Sequence, residues 1–410
     1  MRGCAPLSKL RALRIARPLG AVFLAAGIVV ACAAGAATPT AKPAPGPTLD
    51  AQIAQLESLR QQCIAAARAL QQREHAVGSI DLAVATMRQG VTAKDKEIAN
   101  SRKEQEQLLG ALERLARAPP EALAVAPEGP VERLRSGILM AAAVPALAAQ
   151  ARELTGELGA LDAVRKQIDV SRKHVDDARA ALDKGRAALA QSVAQRDALD
   201  AKLLHDDGKK DPGKMGDGAS DVSELIKRAD AAMEQRDKNL PARLRALYGA
   251  RPKGAPPLTD PTKPKTLRAL DAPNAQMVWP VAGELAHHAG EPDANGKPRL
   301  GVTWTAMPKG TVIAPFDGHV VYVGAFRDYG LILIIDHGGG YHSLLQLGHA
   351  DVTIGQWLLA GEPVGSLADA ADKDGSASLY MELRRGGYPV DPESRFAAGD
   401  QKTEETRVRQ

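Results

Sequence analysis

Nine histidines and three cysteines are the stock from which this 410-residue chain could build a metal or nucleophile site. Six of the histidines, His287, His288, His319, His337, His342 and His349, fall close together in the C-terminal part. Imidazole at that density suggests zinc, which takes N, S or O donors able to shed a proton. The spacing argues against it, because none of the six forms a His-x-His or His-x-x-x-Asp pair. Each reads better as a turn or surface histidine. The carboxylates show no pairing suited to acid–base work, and no glycine-rich phosphate loop is present. Cys4 and Cys32 lie near the N-terminus, so Cys63 is left alone and no disulfide framework is expected.

The elements that must carry those histidines are β-rich. From Val278 to Phe396, short runs alternate with Gly and Pro turns: Thr311 to Ile313, Val320 to Val323, Leu331 to Ile335, Ser343 to Leu345 and Ser378 to Leu383. Aromatic residues sort the chain the same way. Only 3% of residues are aromatic, and none lies between Phe23 and Tyr248. A single core spanning the chain is excluded, since aromatics supply much of a globular core's buried area.

A seven-residue repeat fills the aromatic-free part. Leu49, Leu56, Cys63, Leu70, Val77, Val84, Val91 and Ile98 form one apolar series, and Leu154, Leu161, Ile168, Val175, Leu182 and Leu189 form a second. Such a narrow seam with charged flanks predicts supercoiled helices. Ala118-Pro119-Pro120 breaks the first, so the chain returns as an antiparallel hairpin, with helices of ~60 residues and ~90 Å. The apolar segment from Leu134 to Ala149 near its tip has two readings, a local cap or a docking surface. After a Gly/Lys/Asp break at Asp206 to Gly218, Asp221 and Glu224 open a helix at capping-box spacing. Its apolar face (Val222, Leu225, Ile226, Ala229, Met233) has no partner in its own segment and must pack on the coil or on the last domain.

Lys and Arg number 53 against 49 Asp and Glu, a net charge of +4. Several of the positives precede the apolar run Leu19 to Val30, which reads as an export signal. No basic stripe remains for nucleic acid. Two processing readings stand: cleavage after Ala34-Gly35-Ala36, or a lipoprotein box at Val29 to Cys32 with Cys32 acylated.

The C-terminal residues carry a family resemblance. Trp279-Pro280-Val281-Ala282-Gly283, Lys309-Gly310-Thr311-Val312-Ile313-Ala314-Pro315, Asp317-Gly318-His319, Asp336-His337-Gly338, Ala360-Gly361-Glu362-Pro363-Val364-Gly365 and Leu379-Tyr380-Met381-Glu382-Leu383-Arg384 together resemble the LytM/M23 peptidase domain. In active members of that family zinc is held by a His-x-x-x-Asp pair and by the second His of His-x-His. Carried over, those ligands fall on Arg299, Thr303 and Tyr380. The assisting histidines fall on Leu347 and Ser378. None is a zinc donor of the family set, so the resemblance implies no catalytic residue, no metal ligand and no cofactor.

A degenerate domain of this kind behind an exported coiled coil resembles the EnvC-type murein hydrolase activators. That resemblance implies a non-catalytic activator of a periplasmic zinc amidase, an N-acetylmuramoyl-L-alanine amidase acting on septal peptidoglycan in cell division. It also implies docking of the coil on the inner-membrane complex FtsE–FtsX, with peptidoglycan a further candidate ligand and no nucleic-acid partner. Arg299, Thr303, Leu347, Ser378, Tyr380 and Arg384 become the expected partner-binding groove. The helix between coil and groove becomes a candidate cover. The alternatives are a zinc M23 endopeptidase and a passive peptidoglycan-binding scaffold.

The expected architecture is α+β in separate domains. It comprises a signal peptide (1–36), a linker (37–47) and a long antiparallel coiled-coil hairpin (48–205). A flexible linker (206–275) holds a regulatory helix (221–247), an all-β LytM/M23-like domain of the duplicated hybrid type follows (276–398), and a disordered tail (399–410) ends the chain. Localisation in the periplasm follows from the signal.

Overall fold

The two heptad series close against each other. A computed structural model describes residues 48–116, 130–204, 216, 219–249, 259–369 and 376–396. The expected signal peptide, the linker before residue 48, the Pro119-Pro120 break and the tail from 399 lie outside the described residues, as do the side chains of most of the apolar segment at 134–149.

Helix α1 (Leu49–Ala116) has 68 residues and α2 (Pro130–Leu204) has 75. Both are longer than the repeat alone suggests, because α2 continues through Pro145. The seam residues Leu56, Cys63, Leu70, Val77, Val84 and Ile98 are buried, as are Leu161, Ile168, Val175, Leu182 and Leu189. Intervening positions vary: Ile80, Met87 and Val164 are exposed, whereas Ala67 is buried. Cross-helix ion pairs fix the antiparallel register. Glu74 meets Arg186, Asp81 meets Arg179 and Asp95 meets Arg165, so each step along α1 is matched by an equal step back along α2. No helix among the described residues is long and apolar enough to cross a membrane.

Eleven strands make the C-terminal domain: β1 (Gly283–His287), β2 (Val302–Ala306), β3 (Thr311–Ile313), β4 (Gly318–Ala325), β5 (Leu331–Asp336), β6 (Tyr341–Leu347), β7 (His349–Ala350), β8 (Trp357–Leu358), β9 (Pro363–Ser366), β10 (Ala377–Arg385) and β11 (Tyr388–Val390). The main antiparallel sheet runs β1-β2-β10-β6-β5-β4-β8, with β11 paired to β10, and β3-β9-β7 form a smaller sheet. Strand alternation sends Val302, Trp304, Leu333, Ile335, Leu345, Leu379, Met381 and Leu383 into the core. Coiled coil plus β domain is thus the observed architecture.

The smaller sheet sits on the base of the coil. Ile313 joins Cys63, Ala67, Leu70, Leu182, Leu189 and Val193 in one apolar cluster. Burial raises the Cys63 thiol pKa, as expected of a packing cysteine rather than a reactive one. Around that cluster lies a buried ionic network. Glu74 accepts from the backbone N–H and hydroxyl of Thr311. Arg196 Nη1 donates to Glu362 Oε2 at 2.9 Å, and Arg60 Nη2 donates to the Thr262 carbonyl at 2.7 Å. Arg60, Arg196 and Glu362 are all buried. Desolvation pushes the nearby Asp200 up to about 7 against the pull of Arg60 and Arg196.

Candidate functional site

Strand β5 is apolar at consecutive positions, which marks a strand covered on both faces. Leu331, Leu333 and Ile335 point to the core, while Ile332 and Ile334 point outward with Val321, Tyr322, Phe326 and Leu344. Helix α3 (Val222–Tyr248) covers that outer face. Val222, Leu225, Ile226, Ala229 and Met233 lie on it, with Tyr329, Ile354 and Tyr380 at the margin. Burial of a large apolar side chain is worth about 1.5–3 kcal/mol relative to exposure, so this contact is the main hold on the helix. Capping starts it: Asp221 Oδ1 accepts from the Glu224 N–H, and Glu224 Oε2 accepts from the Ser220 N–H. The Ser220 bonds and Arg228 draw the Glu224 carboxyl down to about 2.

Polar contacts fasten both ends of α3. Ser223 Oγ donates to the Gly387 carbonyl, and Arg384 Nη1 donates to Ser223 Oγ. Further along, Arg236 Nη1 donates to the Ile354 carbonyl at 2.9 Å. Its guanidinium lies where a side chain on Gly355, at φ +87°, would stand. Near its C-terminus, Arg243 and Tyr248 donate to the carbonyls of Leu204 and Leu203, tying α3 to the end of α2.

Four of the six groove residues expected from the sequence share this outer face. Ser378, Tyr380 and Arg384 alternate along β10 with the core residues Ala377, Leu379, Met381 and Leu383. Thr303 is the β2 cross-strand partner of Tyr380. Arg299 stands in the loop before β2, its Nε buried without a hydrogen-bond partner. Leu347 does not join them. Strand alternation turns it into the core beside Leu345 and Leu331, so it lines the opposite face of the sheet and is corrected to a packing residue.

Glu382, which the spacing did not single out as a site residue, organises the groove. It is fully buried and accepts from Tyr380 Oη at 2.8 Å, Tyr329 Oη at 3.1 Å and Arg384 Nε at 2.7 Å. Burial and then the Glu382 charge push Tyr329 up to about 12 and Tyr380 further still. Gly301 lets the backbone approach: a side chain there would stand 2.1 Å from the Met381 carbonyl.

An M23-type zinc ion is not accommodated by these residues. Arg299 brings a cation, Thr303 a neutral hydroxyl, and Tyr380 a phenol that stays protonated and is already donating to Glu382. Zinc requires deprotonated donors. A different cluster does combine metal-binding groups: Asp230 of α3 with Asp336 and His342 of the sheet, their donor atoms within 4.8 Å of one another.

Residues 297–392 match the model of Peptidase family M23. The chain is also similar to the murein hydrolase activator EnvC of Escherichia coli (strain K12), 35% identical over 126 residues, or 30% of each chain. This chain therefore matches less than a third of that relative's length. Among solved structures, Csd3 of Helicobacter pylori is 16% identical with a TM-score of 0.27, covering 31% of this chain and 34% of that one. The catalytic domain of the prophage-encoded M23 protein EnpA from Enterococcus faecalis is 20% identical with a TM-score of 0.25, covering 28% and 92%.

Proposed function

We propose that the chain activates a peptidoglycan hydrolase instead of cutting peptidoglycan itself. The outer face of the M23 sheet, around Tyr380 and Arg384, is the docking groove, and the partner is a periplasmic zinc amidase. One observation carries the reading: α3 covers the outer sheet face beside Tyr380, and the family resemblance assigns Arg299, Thr303 and Tyr380 to the positions where an active peptidase would hold its metal. Similarity of part of this chain to an activator named as such supports it.

Helix α3 acts in this reading as the groove's resting cover. Its apolar face fills the sheet's outer face, and its C-terminal end is bonded to the last turn of α2. A displacement at the coil base is thereby felt by the cover. The hairpin would take such a displacement from an inner-membrane FtsE–FtsX complex during cell division, with the chain exported to the periplasm by its N-terminal segment.

A dye-release assay on murein sacculi tests this with the full chain, its cognate amidase and a variant carrying Leu225→Asp and Ile226→Asp. The expected result is weak stimulation of the amidase by the wild type and strong stimulation by the variant, with no release by either alone. Release by the protein alone, accompanied by peptide cleavage, restores the endopeptidase reading. Sacculus binding without stimulation by either form leaves a passive scaffold.

A further inference from the structure

We propose that Asp230, Asp336 and His342 form a divalent-cation site of the zinc class that staples α3 to the sheet. Asp336 and His342 are cross-strand partners on β5 and β6, so the sheet itself sets two of the three donors side by side. Asp230 arrives from α3, one residue past the buried Ala229, so the apolar docking of the helix aims it at them.

The distances suit a metal. His342 Nε2 lies 2.9 Å from Asp230 Oδ1 and 3.9 Å from Asp336 Oδ1. Donors around a tetrahedral zinc ion stand about 3.3–3.6 Å apart, given metal–ligand bonds of about 2.0–2.2 Å. Those two spacings bracket that value, and all three donor atoms lie within 4.8 Å of one another. One imidazole and two carboxylates are also a donor set zinc accepts, and three protein ligands leave the fourth position for water.

Charge favours a cation too. With His342 neutral, the two carboxylates place two negative charges against a side chain that is only 5% exposed. Both aspartates are only half-buried, which leaves a way in for the ion.

The site joins one element that the functional reading takes as mobile to one that is fixed. A cation bound there would hold the cover closed. Binding stands apart from that reading; only its effect on hydrolase activation rests on it.

The test uses the full chain. Zn2+ is titrated calorimetrically, and Co2+ is followed by its visible absorption, which reports tetrahedral coordination. Saturable one-to-one binding is expected, weakened at least about tenfold by Asp230→Asn, a substitution on the half-exposed side of α3 that leaves the sheet untouched. Hydrogen exchange of residues 222–233 should slow on adding Zn2+ in the wild type and not in D230N. Absence of saturable binding, or binding unchanged by D230N, leaves His342 and Asp230 an ion pair only and overturns the site. Binding without slower exchange overturns the staple. If the Leu225→Asp, Ile226→Asp variant fails to stimulate the amidase while Zn2+ still binds the wild type, the functional reading fails and the site stands.

Discussion

Arg384 Nη1 lies 3.1 Å from Ser223 Oγ and 3.0 Å from the Gly387 carbonyl, so one guanidinium holds the start of α3 against the end of β10. Its Nε meanwhile pairs with buried Glu382. The residue that faces the proposed partner is thus the one that binds the cover.

Loosening that contact should release the helix by degrees. Ser223→Ala removes two hydrogen bonds, and each is worth about 0.5–1.5 kcal/mol net. Hydrogen exchange of residues 222–233 should quicken about tenfold while the strands keep their protection. Unchanged exchange would show that the apolar face alone sets the opening equilibrium.

Arg384→Ala should cost more than a lost contact. It leaves Glu382 fully buried with only the Tyr329 and Tyr380 hydroxyls, and removing one member of a buried pair costs about 3–5 kcal/mol. Arg384→Lys should recover only part of this, because a single ammonium cannot serve Glu382, Ser223 and Gly387 from one plane. Urea denaturation followed by tryptophan fluorescence measures both, since all three Trp lie in the β domain.

At the coil base, Glu362→Ala leaves Arg196 and Arg60 buried without their shared carboxylate. A loss of about 3–5 kcal/mol is expected. Thermal unfolding should then split into separate helical and β transitions, read by far-ultraviolet and near-ultraviolet circular dichroism. A single unshifted transition would mean that the apolar cluster around Cys63 and Ile313 joins the two parts alone.

His337 gives the fold an acid limit. Its ring is fully enclosed, with Nδ1 2.8 Å from the Asp317 carbonyl and Nε2 2.8 Å from Ser343 Oγ. A carbonyl only accepts, so Nδ1 carries the proton and Nε2 accepts from the serine. Burial lowers its pKa from 6.5 to about 4. A depressed native pKa contributes stability that is present above 6.5 and lost as pH falls from there through about 4. The loss amounts to about 3 kcal/mol. Unfolding free energies between pH 7 and pH 4 should fall by that amount, and His337→Gln should flatten that part of the profile.

Much of this was legible in the residues because local periodicity carries it. A seven-residue repeat of Leu, Val and Ile permits only a narrow seam, and most of that series in α1 and α2 is buried, with Leu49, Val91 and Leu154 half-buried. The capping pair Asp221 and Glu224 likewise marks a helix start from sequence. Alternation along β10 puts Ser378, Tyr380 and Arg384 on one face without any knowledge of the fold.

Other features depend on which surfaces meet. Leu347 was misplaced because a motif position carries no face; the pairing of β6 with β5 turns it inward. Asp230 and His342 are separated by 112 residues, and no spacing rule links them until Ala229 and Met233 seat α3 on the sheet. Glu382 reads as one more carboxylate in a strand until three donors converge on it. Sequence by itself determined the elements and their apolar faces, because those follow from short-range stereochemistry and residue type. Only the tertiary structure decided what covers the groove and what holds the cover there, because long-range burial, not local pattern, selects which apolar faces pair.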